Sequence, residues 1–196
     1  MMKLYVANID EISLDRVSEI SPQRAEKVKR YKKIADKKRC IGGGLFISKF
    51  LGNAKISANS YGKLIADSGD CFNLSHSGNY VLFALSKSPV GCDIEQIKIV
   101  SQNMRRIVFC ENELNKIESS QDKIGAFFDL WTKKESLLKC IGEGFHRNAK
   151  SIDVSKNTFI ENGINYYFKL WHFSDYTISV CSKENDFPKD IEFIKL

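Results

Sequence analysis

The sequence predicts an α+β protein of two similar subdomains, each with a long helix packed on a small, largely antiparallel sheet. Three observations predict this fold: an internal duplication, two segments with helical hydrophobic spacing, and apolar strands joined by short turns. The chain has 196 residues, of which 43% are hydrophobic and 28% are charged. This composition is typical of globular proteins and excludes an intrinsically disordered chain.

The duplication consists of two matches that occur in the same order. Arg39–Gly44 (RCIGGG) recurs as Lys139–Gly144 (KCIGEG), and Tyr80–Glu95 recurs as Tyr176–Glu192 with one inserted residue. We therefore predict subdomains over residues 1–97 and 98–196, related by a pseudo-twofold axis. A cleft between two such halves is a natural ligand site, and we expect the active site at this interface.

Membrane, export and zinc motifs are not evident in the sequence. The longest purely apolar run, Tyr80–Leu85, is far shorter than the roughly 20 residues that span a bilayer. The N-terminus lacks the apolar region of a secretory signal, so we expect a cytoplasmic protein with no membrane partner. The six cysteines lack the paired spacing of zinc ligands, and we expect them to be reduced and buried.

Positive charge is concentrated between Pro22 and Arg39. This segment has nine Lys and Arg residues against two acidic ones, a net charge of +7 in a chain of net charge +6. Ser21 and Pro22 predict a helix start, and Ala25 and Val28 begin a helical repeat, so the whole segment is predicted as one basic helix. Such a helix is either a solvated face or a surface that binds nucleic acid, a phosphorylated cofactor or an acidic protein.

Asp93 and Glu95 alternate along a predicted strand. This spacing directs both carboxylates to one face and Cys92 and Ile94 to the other. Neighbouring carboxylates repel each other unless one is protonated or a cation lies between them, and Mg²⁺ prefers such oxygen ligands. The alternative is a solvated strand end, which the similar tripeptide Asp190–Glu192 also favours.

Glu135 lies on the apolar face of the second predicted helix, in line with Trp131 and Leu138. A carboxylate that faces inward needs a partner, because an unpaired buried charge is costly. Lys139, one turn later, is a candidate partner, which would make the pair structural. In the other interpretation Glu135 is a third metal ligand or a general base beside the two strand carboxylates.

Ser75, His76 and Ser77 form a polar group ahead of the strand that starts at Tyr80. We expect these residues on an exposed turn, where the imidazole and the hydroxyls can hold a phosphate oxygen. The nucleophile motif Gly-x-Ser-x-Gly is missing from the sequence, which argues against a serine hydrolase. A turn histidine without a function is the other interpretation.

Taken in order, these motifs resemble those of the larger, surfactin-synthetase-activating type of 4′-phosphopantetheinyl transferase. The chain has Ser-His-Ser at 75–77, Gly-x-Asp-x-Glu at 91–95 and Trp-x-x-Lys-Glu-x-x-x-Lys at 131–139. The segments 21–24 (SPQR), 61–63 (YGK) and 186–188 (DFP) also fit, so the resemblance covers nearly the whole chain. The fold of this family, two related subdomains, agrees with the one that the duplication predicts.

The resemblance implies an enzyme that transfers 4′-phosphopantetheine from coenzyme A to a serine of an apo acyl or peptidyl carrier protein and releases adenosine 3′,5′-bisphosphate. It implies that Asp93, Glu95 and Glu135 bind Mg²⁺, with Mn²⁺ as an alternative. The implied catalytic residues are Glu135, as the candidate base, Lys139 and Asp93. The implied coenzyme A ligands are Arg24, Lys27, Arg39, Cys40, Lys63, Ser75, His76 and Lys139. Arg24 stands where relatives often have Lys, and Cys40 where a hydroxyl residue is common.

The implied partners are coenzyme A and acidic carrier domains, both of which the basic segment would attract. We expect no nucleic-acid partner, and we expect a monomer because the duplication makes the trimer of single-repeat relatives unnecessary. Two alternatives stay open. A magnesium-dependent nuclease would use the same three carboxylates and lose its nicking activity in Glu135→Ala. A non-catalytic nucleic-acid-binding module would use the basic helix and be indifferent to Asp93→Ala.

Overall fold

The computed structural model describes residues 1–99, 107–143 and 148–196, which form four layers in the order helix, sheet, sheet, helix. The strands are β1 (Lys3–Asn8), β2 (Ile56–Ala58), β3 (Leu64–Ala66), β4 (Cys71–Ser77), β5 (Tyr80–Ser86), β6 (Val90–Gln96), β7 (Thr158–Glu161), β8 (Ile164–Phe173), β9 (Tyr176–Ser182) and β10 (Glu192–Phe193). The α-helices are α1 (Pro22–Arg30), α2 (Ile34–Leu51), α3 (Glu111–Ser119) and α4 (Lys123–Ile141), and short 3-10 helices cover Ile9–Glu11, Leu14–Glu19 and Ala149–Ser151. The predicted α+β class with small antiparallel sheets is confirmed.

The two larger sheets pack face to face between α2 and α4. The strand orders are β10-β1-β5-β4 and β6-β9-β8-β7, and every pair is antiparallel except β1 with β10. Along β5, Leu82 contributes to the core between the sheets and its neighbour Phe83 to the core beneath α2. Because successive side chains point to opposite faces, a strand that is covered on both sides is apolar at successive positions, as β5 is from Tyr80 to Leu85.

Each half of the chain supplies a strand to the sheet of the other half. β6, from the first half, pairs with β9, so that Cys92 lies opposite Val180. β10, from the second half, pairs with β1, so that Glu192 lies opposite Tyr5. The duplicated segments thus cross between the sheets in both directions. The division at residue 97 stays a prediction, and any such division has to accommodate this exchange.

The basic segment is not one helix, and that prediction is wrong. Helix α1 ends at Arg30, and Tyr31 and Lys33 have extended backbone conformations before α2 begins at Ile34. The break lets α1 fold back onto α2, where Gly43 and Gly44 leave room for the Arg24 side chain of α1. A single helix would also have aligned like charges at i,i+3 and i,i+4 spacing, which is unfavourable.

Two buried lysines fix the back of α4. Lys134 is 2% exposed and pairs with the fully buried Glu113 of α3 at 2.8 Å. Its ammonium also donates to the carbonyl oxygens of Ala149 (2.7 Å) and Ile152. The neighbouring Lys133 donates to the carbonyls of residues 154 and 156 and to the side chain of residue 157. Burial lowers the pKa of Lys133 to about 8. These contacts fix the helix that carries Glu135.

None of the described helices combines the length and hydropathy that a membrane span needs. All six cysteines are free. The expectation that they are buried is confirmed for Cys40, Cys92, Cys140 and Cys181, whereas Cys71 and Cys110 are half-buried. They therefore pack mainly as small apolar side chains.

Candidate active site

A cavity of about 420 Å³ lies where α1, α2, β4, the β2–β3 turn and α4 meet. The predicted coenzyme A ligands that line it are Arg24, Lys27, Arg39, Cys40, Lys63, Ser75, His76 and Lys139. Glu135 also lines the cavity, whereas Asp93 and Glu95 do not. The predicted coenzyme A ligands and Glu135 are therefore brought together around a single opening, with cationic side chains on its wall.

Asp93 is buried behind this wall, 3% exposed. As its position in β6 predicts, it lies on the face opposite Cys92 and Ile94, which are in the core between the sheets. One carboxylate oxygen, Oδ1, accepts from the Lys139 ammonium at 2.6 Å and from the Ser75 hydroxyl at 2.7 Å. The other oxygen, Oδ2, is buried and has no hydrogen-bond partner among the described residues. A buried oxygen of this kind calls for a cation or a donor.

Glu95 is held at both of its carboxylate oxygens. Ser77 donates its hydroxyl to one oxygen at 2.7 Å, and the indole N–H of Trp131 lies 3.4 Å from the other. Burial raises the pKa of Glu95, and the negative charge of Asp93 adds to this effect against the two hydrogen bonds. A cation beside Glu95 would relieve the burial cost by favouring the charged form.

Glu135 is 9% exposed and projects from α4 toward the cavity. Burial, followed by the negative charge of Asp93, raises the pKa of Glu135 to about 7, while Lys139 opposes the shift. Because this pKa is close to physiological pH, the carboxylate of Glu135 can accept a proton and release it again.

The raised pKa of Glu135 predicts a titration in the metal-free protein. We expect one glutamate carboxyl ¹³C resonance to change with a midpoint near pH 7, protonated below and ionised above. The resonance should be missing in Glu135→Gln and retained in Glu111→Gln, a substitution at an exposed position of α3. If every glutamate of the metal-free protein titrates below pH 5.5, the raised pKa of Glu135 is contradicted.

Lys139 pairs with Asp93 rather than with Glu135, so the candidate pairing within the helix does not form. The ammonium lies 2.6 Å from Asp93 and 3.1 Å from the Ser75 hydroxyl. Burial disfavours the charged form, but the charge of Asp93 outweighs it, so the pKa of Lys139 is raised. The physical reason is the close approach of β6 to α4 at Gly91, where a Cβ would collide with the backbone of Ser136 and Cys140.

The three carboxylates offer the type of ligand atom that a hard divalent cation prefers, but they do not form a compact, preformed cluster. Their donor atoms are all oxygens, one of them is buried without a partner, and Asp93 and Glu95 both raise the pKa of Glu135 through their charge. Within the described ranges, the one trio of metal-ligating side chains whose ligand atoms all lie within 4.8 Å is Cys110, Glu113 and Asp153. This trio has a structural role instead, because the carboxylate of Glu113 already pairs with Lys134 and accepts hydrogen bonds from backbone amides.

Ser75, His76 and Ser77 end strand β4 and do not form a turn, so that expectation is wrong. The strand alternation places Ser75 and Ser77 toward the carboxylates of β6, and His76 projects to the other side. Although part of its side chain is exposed, desolvation of the ring lowers the pKa of His76, and nearby cations that include Arg39 lower it further. The neutral imidazole, which this shift favours, has one N–H to donate at the cavity.

Several cavity cations are anchored through the backbone. Arg24 donates to the carbonyl of Cys40 at 3.0 Å, and burial lowers the pKa of its guanidinium. Lys63 donates to the carbonyls of Cys140 (2.8 Å) and Val90 (3.3 Å), and burial lowers the pKa of its ammonium as well. The Cys40 thiol adds two longer contacts, accepting from the Arg24 guanidinium at 3.9 Å and donating to the Arg24 carbonyl at 4.0 Å.

Arg39 lines the cavity with its guanidinium already engaged. It donates to Asp36 at 2.5 Å and to the carbonyl of Gly78 at 2.9 Å. Arg24 and Lys63 have no acidic partner within 4.0 Å in the part of the chain that the structure describes. Both cations are half-buried, so an anion bound in the cavity would offset the cost of removing their charges from water.

Sequence reasoning missed the roles of Ser77 and of the Trp131 indole, which were interpreted as part of a turn and of an apolar stripe. The signal was available in the spacing. Ser75 and Ser77 are two apart, as are Asp93 and Glu95, so two strands that run side by side match serine to carboxylate at both positions.

Comparisons with known proteins give a consistent result. The profile of the 4′-phosphopantetheinyl transferase superfamily matches residues 89–181. The 4′-phosphopantetheinyl transferase gsp of Aneurinibacillus migulanus is 35% identical over 150 aligned positions, which cover 71% of this chain and 63% of that protein. The 4′-phosphopantetheinyl transferase Sfp of Bacillus subtilis is 28% identical over 218 aligned positions, which cover 98% of this chain and 97% of that protein.

Among solved structures, the holo-[acyl-carrier-protein] synthase of Thermotoga maritima aligns with a TM-score of 0.39 and 14% identity. The alignment covers 48% of this chain and 61% of that chain.

Proposed function

The chain belongs to the 4′-phosphopantetheinyl transferase superfamily, and from this premise we propose that it transfers the 4′-phosphopantetheine of coenzyme A to a serine of an apo carrier protein. The observation that carries the proposal is Glu135, a buried carboxylate with a pKa of about 7 on the wall of a cation-lined cavity. The site thus combines a base with groups that bind phosphates.

In the proposed reaction, the carrier serine oxygen attacks the phosphorus that bears the pantetheine arm. A new P–O bond forms there, and the pyrophosphate bond to the adenosine side breaks, releasing adenosine 3′,5′-bisphosphate. The serine proton passes to Glu135, directly or through water. Charge accumulates on the departing phosphate, so catalysis depends mainly on positioning and electrostatic stabilisation.

Asp93, Glu95 and Glu135 would hold a divalent cation, which we propose to be Mg²⁺ or Mn²⁺. When bound, such an ion neutralises the negative charge of the pyrophosphate. Lys139 has three N–H donors, of which two are used by Asp93 and Ser75, so one remains for a phosphate oxygen. Its 2.6 Å bond to Asp93 also fixes the position of that carboxylate.

Arg24, Lys63 and His76 would bind the phosphates of coenzyme A. Arg24 uses one of its five donors on Cys40, and the remainder of the guanidinium lies at the cavity. Lys27 is exposed on α1 and also lines the cavity. With Arg30, Lys32 and Lys33 exposed nearby, it would also attract an acidic carrier domain at low salt.

Arg24→Ala is expected to weaken coenzyme A binding by about 10- to 100-fold, because one charge-assisted contact to phosphate is lost. Isothermal calorimetry with the full chain measures the change. Lys29→Ala removes the same charge from an exposed position of the same helix, paired with Glu26, and should alter affinity less than about 3-fold. Equal losses in the two variants would mean that Arg24 acts only through net charge.

The reaction itself is tested on its small product. The protein is incubated with coenzyme A, Mg²⁺ and an apo carrier domain, and the mixture is separated by anion-exchange chromatography. The proposal predicts adenosine 3′,5′-bisphosphate in amounts that match the carrier consumed. Coenzyme A that stays intact with every carrier tested would contradict it.

A further inference from the structure

Strands β4 and β6 belong to different sheets, yet side chains of β4 bind the backbone of β6 at every second residue. The contacts are Asn73 Oδ1 with the amide of Cys92 (2.9 Å), Ser75 Oγ with that of Ile94 (3.4 Å) and Ser77 Oγ with that of Gln96 (3.1 Å). These contacts continue from one sheet to the other and fix the register between the two strands. The side chains of β4 stand in for a backbone ladder, and each serine therefore has a defined place beside one β6 carboxylate.

The hydroxyl protons complete this arrangement. The Ser77 hydroxyl accepts a hydrogen bond from the backbone N–H of Gln96 and donates its single proton to the Glu95 carboxylate at 2.7 Å. That proton is therefore unavailable to a phosphate. The other oxygen of Glu95 faces the indole N–H of Trp131, whose ring stacks parallel to that of Phe127 with an interplanar angle of 5°. Glu95 is thus held at both ends by groups that are themselves fixed by packing or by the backbone.

We propose that Ser77 is a positioning residue that, together with the Trp131 indole, holds the Glu95 carboxylate in the orientation that the divalent cation requires. The inference rests on the proposed function, because it concerns the ion that the transferase reaction would use. A glutamate has three rotatable side-chain bonds, and fixing them before the ion arrives removes an entropic cost of binding. Partners that orient a ligand in this way typically affect metal affinity 10- to 100-fold.

The test measures Mn²⁺ binding to the full chain with coenzyme A present. The electron paramagnetic resonance signal of free Mn²⁺ reports how much of the ion is bound. Ser77→Ala should weaken Mn²⁺ binding by about 10-fold. Ser77→Thr retains the hydroxyl and should restore binding to within about 3-fold. Ser68→Ala is the matched control, because Ser68 donates to the carboxylate of Asp70 at 3.0 Å on an exposed turn. It should leave Mn²⁺ affinity unchanged.

Trp131→Phe provides a second and independent readout. It removes the indole N–H and leaves an aromatic ring beside Phe127, so it should weaken Mn²⁺ binding by about 3-fold. Ser77→Ala and Trp131→Phe should both raise the Mg²⁺ concentration needed for half-maximal transfer. Both should leave the rate at saturating Mg²⁺ within about 3-fold of the parent. Coenzyme A affinity without metal should not change.

The outcomes separate this inference from the proposed function. If the parent protein binds Mn²⁺ and transfers phosphopantetheine but Ser77→Ala, with an unchanged melting temperature, binds Mn²⁺ equally well, the positioning role of Ser77 is overturned. A loss of Mn²⁺ affinity in Ser77→Thr as large as in Ser77→Ala would also overturn it. If the parent protein neither binds Mn²⁺ nor transfers, the proposed function fails first, and this inference fails with it.

Discussion

Glu135→Gln is expected to reduce the rate of phosphopantetheine transfer by about 1,000-fold, because general-base catalysis contributes roughly this much. The substitution keeps the shape of the side chain and removes both the charge and the basic oxygen. Coenzyme A affinity in the absence of metal should change less than 3-fold, since the cationic side chains of the cavity remain. Single-turnover transfer to an apo carrier measures the effect at saturating Mg²⁺.

The matched control for this experiment is Glu111→Gln, an exposed glutamate at the start of α3, which should transfer at the parent rate. The melting temperature of Glu135→Gln should equal or exceed that of the parent protein. A buried carboxyl with a raised pKa is costly to ionise, so its removal relieves that cost above pH 7. Transfer by Glu135→Gln within 10-fold of the parent would exclude Glu135 as the base.

Lys134→Ala is expected to lower the free energy of unfolding by about 3–5 kcal/mol, because it leaves the fully buried Glu113 carboxylate without its cation. It also removes the donor that holds the carbonyls of Ala149 and Ile152 against α4. Urea denaturation followed by circular dichroism measures the change.

Lys123→Ala removes the same side chain from another position of α4, where Lys123 forms an exposed ion pair with Glu118 of α3. Exposed pairs of this kind contribute about 0–1 kcal/mol, so its free energy of unfolding should fall by no more than this. If Lys134→Ala also loses less than 1 kcal/mol, the buried pair does not anchor the helix. The position of Lys134 directly before Glu135 would then be incidental to the site.

Local geometry was predictable from the sequence wherever a simple period governs it. The two-residue period of a strand predicted that Asp93 and Glu95 share a face opposite Cys92 and Ile94, and the structure has this arrangement. The helical spacing of Trp131, Glu135 and Leu138 likewise predicted α4, which the structure extends over Lys123–Ile141. Both features depend on neighbours a few residues away.

Contacts between distant segments were not predictable in this way. Lys139 was matched to Glu135 by helical spacing, but β6 passes so close to α4 at Gly91 that Asp93 offers a nearer and better buried partner. The break after Arg30 was missed because Tyr31 fits the helical period while its backbone is extended. The strand exchange between the sheets depends on long-range pairing that a local pattern does not encode.

The most direct measurement is the intact mass of an apo carrier protein after incubation with this protein, coenzyme A and Mg²⁺. Carriers from fatty-acid, polyketide and nonribosomal peptide synthesis are compared, each with and without EDTA. The account predicts a mass gain of one phosphopantetheine on at least one carrier, which EDTA and Glu135→Gln both suppress. Carriers of all three classes that keep their apo mass, with folded protein that binds coenzyme A, would contradict it.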